Sequence, residues 1–180
     1  MLWSDVHYTD CEIRDPRADA FLAAIRNLYA NGRVLFRCFQ PTVTEAFRSA
    51  ADFDRHDLAH RLRAFLVAPT IRAMLKELEL PPLSETLPGF HYCSAYEMEG
   101  ALVATLLRGG AYNKFPGTED EARRLARDFV SVIGHQHSEV FEIVEEAWTS
   151  WFYNVAWDLS FVVLNSRQLR WWILCMTDTD

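Results

Sequence analysis

Hydrophobic positions along this chain follow two spacings that take turns, one of three to four residues and one of two. In "DPRADAFLAAIRNLYANG" (15–32), Phe21, Ile25 and Leu28 recur at i, i+4 and i+7. That spacing lines one face of a helix, and Gly32 supplies a stop. "RVLFRCF" then switches to a period of two, with Val34, Phe36 and Cys38 on one face and Leu35, Arg37 and Phe39 on the other. This predicts a strand with a buried face. Helical spacing returns over 44–80, broken near Asp52–Arg55 and at Pro69, which suits the first turn of a new helix, "PTIRAMLKELEL". "PPLSETLPG" is rich in proline but short, so it reads as a loop inside one domain.

The second half repeats the alternation. "SAYEMEGALVATLLRGG" carries Met98, Leu102 and Leu106 in helical register and ends on Gly109 and Gly110. After the loop "GGAYNKFPG", Thr118 and Glu121 have the T-x-x-E spacing of a capping box. The helix they open carries Ala122, Leu125, Phe129 and Val132 on one face and stops at Gly134. "EVFEIVEEAW" predicts a strand, although its polar positions also fit a helix. "LSFVVL" and "LRWWILCM" flank the polar turn "NSRQ" and predict a hairpin. Both are apolar on both faces, so other layers must cover them. The expected fold is a single α+β domain over residues 1–180. An antiparallel sheet, including the C-terminal hairpin, packs against several helices.

Charge narrows the function classes. The net charge is -7, and residues 119–180 hold 11 acidic against 5 basic side chains. A phosphate-backbone binder needs a basic stripe, which this distribution argues against. A basic partner suits it better, because complementary charge speeds encounter. The N-terminal residues lack the basic and apolar regions of a secretory signal, and no stretch approaches a membrane span. Cys11, Cys38, Cys93 and Cys175 are scattered without a CxxC pair and read as reduced thiols, so the expected location is the cytoplasm.

Several motifs invite chemistry. "HDLAH" places His56 and His60 at i and i+4, where two imidazoles can share a zinc ion with Asp57 as base. Asp is a methylene shorter than the usual Glu. The wheel also sets both histidines opposite the apolar face of Leu58, Leu62, Phe65 and Leu66, so a solvated helix face is the simpler reading. A metal-dependent hydrolase using His56 and His60 is kept as the alternative function. His135 and His137 could join Glu139 around a metal, but they read as a polar loop after a helix stop. His91 and Cys93 could pair as imidazole and thiolate; a buried small hydrophobe is the plainer account of Cys93. "GGAYNKFPG" lacks the order of a phosphate loop and reads as a turn.

The aromatic content is the most unusual feature. Trp148, Trp151, Trp157, Trp171 and Trp172 lie within 25 residues. Trp171 and Trp172 must point to opposite faces of their strand. Glu139, Glu142, Glu145, Glu146, Asp158, Asp178 and Asp180 lie beside this cluster. An exposed aromatic rimmed by carboxylates would anchor a basic partner, or a small ligand. Asp178 and Asp180 read as a charged strand stop on a fraying chain end, with a contribution to an acidic docking face.

"GGAYNKF", "WFYNVAWD" and the closing "LCMTDTD" together resemble small, acidic, tryptophan-rich bacterial proteins encoded beside polymorphic toxins, the immunity protein 52 family. The resemblance lies mainly in the second half. It implies a stoichiometric, non-enzymatic inhibitor, without cofactor or metal, that binds a cognate secreted nuclease toxin and blocks its active site or its assembly. The expected contact residues are Glu139, Glu142, Glu145, Glu146, Trp148, Trp151, Asp158, Asp178 and Asp180, with no catalytic residues, no direct nucleic-acid contact and no membrane.

Overall fold

The structure is a computed structural model that describes residues 6–42, 58–81, 88–144 and 147–180. Its centre is a six-stranded sheet in the order β1-β2-β6-β5-β4-β3, with every neighbouring pair antiparallel. In chain order the strands are β1 (Tyr8–Cys11), β2 (Arg33–Pro41), β3 (Phe90–Cys93), β4 (Ser138–Ile143), β5 (Leu159–Asn165) and β6 (Arg170–Thr177). The helices are α1 (Pro16–Leu28), α2 (Leu58–Val67), α3 (Pro69–Met74), α4 (Ala95–Arg108) and α5 (Glu119–Ile133). This is the α+β arrangement the periodicity predicts, with the C-terminal hairpin at the heart of the sheet.

The central strand β6 explains its own sequence. Successive side chains of a strand point to opposite faces. Trp171, Ile173 and Cys175 therefore enter one core, and Trp172, Leu174 and Met176 the other. The first core is closed by α2, α3 and residues 147–152, and the second by α1, α4 and α5. Covered on both faces, β6 has no use for polar alternation. Stacked rings fill each layer. Trp171 lies over Phe65 of α2 at 4.5 Å between centroids, and Trp172 over Phe36 of β2 at 5.5 Å. Aromatic pairs of this kind contribute about 0.5–1.5 kcal/mol beyond their buried area.

Local signals set the helix ends. Thr118 and Glu121 form the expected capping box, and Ser94 and Glu97 form a second one at the start of α4. On α5 the fully buried stripe is Ala122, Ala126, Phe129, Val130 and Ile133, while Leu125 and Val132 stand at its half-buried border. One expectation is corrected. The helix predicted from Pro69 ends at Met74 and tightens into a 3-10 turn at Lys76–Leu78. Leu75, Leu78 and Leu80 all have to reach the same core, and a straight helix could not deliver them together. Arg72 clamps the tightened turn by donating to the carbonyls of Leu80 and Pro81. Among the described residues, no helix is long and apolar enough to cross a membrane.

Candidate functional site

A shallow groove of about 300 Å³ opens where β4 ends and β5 begins, against the loop that precedes β5. Glu142, Val144, Trp148, Phe152, Val155 and Asp158 line it. The groove therefore gathers Glu142, Trp148 and Asp158, three of the candidate contact residues. Val144 is 44% exposed, the most open large apolar side chain in the wall. Trp148 is buried, and its Nε1–H donates to Ser160 Oγ at 3.0 Å, so the indole forms a fixed floor. Asp158 is a loop clasp: one oxygen accepts the Val155 N–H at 3.1 Å and the other accepts the Thr177 hydroxyl. Glu142 sits on β4 directly across from His91 of β3.

The remaining candidates are dispersed. Glu145 and Glu146 lie outside the described residues. Glu139 faces the α2 layer and forms an ion pair with Arg61 at 3.1 Å. The Arg61 side chain is 4% exposed and that of Glu139 is 20% exposed. Trp151 is buried against Phe152 at 5.0 Å and is no open anchor, although the Arg33 guanidinium lies 6.0 Å from its ring. Arg33 also donates to the hydroxyl of half-exposed Tyr153 at 2.8 Å, giving this end of the sheet a small cation–aromatic surface.

Asp178 needs the largest correction. It does not sit on a fraying acidic end; it is fully buried. Its Oδ2 accepts the Ala111 N–H at 2.8 Å, and its Oδ1 accepts the Asn31 N–H at 3.3 Å. The strand stops at Thr177, so Asp178 leaves the sheet and enters a cradle built by two turns, while Asp180 stays exposed. Gly32 and Gly110 make that cradle possible. A Cβ at Gly110 would meet the Leu28 carbonyl at 2.2 Å and Asp178 Oδ2 at 2.6 Å, and one at Gly32 would meet the Thr177 carbonyl at 2.1 Å. "GGAYNKF" thus does bind an anion, but the anion is the chain's own carboxylate.

The histidine motifs separate. His60 lies on the exposed side of α2, and His56 and Asp57 are outside the described residues. His135 Nε2 contacts Glu99 Oε2 at 2.7 Å, and its ring lies 5.2 Å from Tyr96. Cys93 closes β3 just before the α4 cap, on the same face as His91; burial pushes its thiol up to about 11, with Glu142 and Glu97 adding to the effect. That is the opposite of an activated thiolate. Among the described residues, no group of three or more His, Cys, Asp or Glu side chains is placed to hold a metal ion.

Two arrangements are not legible in the sequence. The Val144–Trp148 groove depends on how the loop after β4 folds back. The Cys11–Cys38 juxtaposition depends on the register of β1 with β2. Compared with known proteins, the chain matches no family model and no curated sequence.

Proposed function

We propose that this protein is an immunity-type inhibitor that binds and neutralises a cognate secreted bacterial toxin, a nuclease with a basic surface. The observation that carries the reading is the convergence of Glu142, Trp148 and Asp158 on one groove with Val144 exposed beside them. A rigid apolar floor with a carboxylate at its wall suits a partner segment that presents an apolar side chain next to a cation. Nuclease substrate channels carry such cations for phosphates, and an acidic protein can take the place of the nucleic acid there. The resemblance in "GGAYNKF", "WFYNVAWD" and "LCMTDTD" points the same way.

Because Glu139, Asp158 and Asp178 all make internal contacts, the contact surface moves from a broad acidic face to the groove, with Glu142 as the carboxylate at its wall. The test starts with a nuclease toxin recovered with this protein from its source cell. Nuclease activity should fall to nothing at one molar equivalent of inhibitor, and co-expression should restore growth. Val144→Arg sets a like charge before a basic partner, and should weaken binding at least about tenfold while leaving Tm unchanged. Full nuclease activity at excess inhibitor would overturn the function. Unchanged affinity of Val144→Arg would overturn the groove.

A further inference from the structure

We propose that Cys11 and Cys38 form a reversible cross-strand disulfide that staples the edge strand β1 to β2. The two residues are direct partners in the antiparallel ladder, so their side chains leave the same face. On that face the Cys11 thiol donates to Gln40 Oε1 at 3.8 Å, so it is held over β2 beside Cys38. Cys38 is buried at 1% exposure, while Cys11 is half-buried and open to solvent from the sheet edge. Cys175 lies in the opposite core and Cys93 at the far edge of the sheet, so neither competes.

The ladder geometry also bears on how easily the bond breaks. The Thr42 N–H donates to the His7 carbonyl at 2.8 Å, and hydrogen-bonded pairs alternate along the ladder, so Cys11 and Cys38 are a hydrogen-bonded pair. Such partners have Cα atoms about 5.5 Å apart, inside the disulfide range, but Cβ atoms wider than the ~3.8 Å a disulfide favours. β1 must be drawn inward, and the resulting strain makes the bond easier to reduce. A four-residue edge strand can move that far. What it carries is consequential: Tyr8 packs edge-on against Phe65 of α2, and its N–H donates to Thr70 of α3. Oxidation therefore fixes the strand that ties β2 to the α2–α3 layer.

The oxidant is a peroxide. The Cys11 thiolate attacks hydrogen peroxide and becomes a sulfenic acid, releasing hydroxide. The Cys38 sulfur then displaces the sulfenic hydroxyl, and the Cys38 proton leaves with it as water. In total two thiols lose two hydrogens and one peroxide becomes two waters.

The purified chain is treated with hydrogen peroxide, quenched in acid, denatured and alkylated. Titratable thiols should fall from four to two, with loss of two hydrogens from the intact mass and a peptide joining Cys11 to Cys38. Dithiothreitol should restore all four, and the oxidised form should resist proteolysis near β1. Cys11→Ser should keep all three of its thiols under the same treatment, and Cys38→Ala should stop at an oxygen added to Cys11 with no joined peptide; using both guards against one failing to fold. Four thiols after treatment of the native chain, oxygen added to Cys11 alone, or Cys11 linking two molecules would each overturn the proposal.

Discussion

At the scale of single residues, Asp178 shows how position changes the meaning of a charge. In the sequence it is one of a terminal pair of aspartates; in the structure it is a buried acceptor for two backbone N–H groups from segments far apart in the chain. Hydrogen bonds to an ionised acceptor contribute about 1.5–3 kcal/mol, and removing the acceptor also strands the donors. Asp178→Ala should therefore lower stability by about 2–3 kcal/mol in urea unfolding. Asp178→Asn keeps one oxygen for Ala111 and should lose less. Asp180→Asn, at an exposed position, should change nothing measurable. Equal and negligible effects of all three would show that the cradle does not hold the C-terminal segment.

The helix caps make the argument at the scale of elements. Asp15 caps α1 by accepting the Arg17 N–H at 3.0 Å, and its carboxylate also receives the Arg17 guanidinium. The Arg17 side chain, followed by its backbone N–H, lowers the Asp15 pKa from its ordinary 3.8 to about 2. A depressed carboxyl stabilises the folded state above its unfolded value, and that contribution fades as pH falls through the folded value. Asn caps as well as Asp but does not titrate. Asp15→Asn, which keeps the cap but not the charged contact with Arg17, should thus be less stable than the native chain near neutrality and converge with it as pH falls from about pH 4 to pH 2; parallel acid limbs would remove Asp15 from that transition. Elements of this kind were legible in the sequence because their signals are local. The Thr118–Glu121 box, the Phe21–Ile25–Leu28 stripe and the alternation of β2 each need only neighbouring residues. β1 and β3 give no such signal, since four-residue edge strands hold too few positions for a period. The shortened α3 escaped for a different reason: three leucines answering to one core overrode an intact helical pattern.

At the scale of the whole molecule, what joins the layers is the part that sequence spacing could not supply. Arg61 illustrates it. On the helical wheel it borders the charged side of α2, yet it turns inward and meets Glu139, 78 residues away on β4. Nothing local couples those positions; they are brought together only when the sheet is assembled and α2 is laid across it. The same holds for the groove, whose wall and floor come from β4 and from the loop before β5. A partly buried ion pair gives its attraction largely back as desolvation, but leaving one partner behind uncompensated is costly. Glu139 is a fifth exposed, so water offsets part of that penalty. Arg61→Ala and Glu139→Ala should each destabilise by about 2–4 kcal/mol, and the double substitution should cost less than their sum by 1 kcal/mol or more. Replacing both with apolar residues of similar volume, Arg61→Met with Glu139→Leu, should recover most of the loss while preserving the fold. Additive single effects in urea unfolding would mean that the pair does not act as a unit. The α2 layer would then be held by the Phe65–Trp171 stack and its apolar neighbours alone.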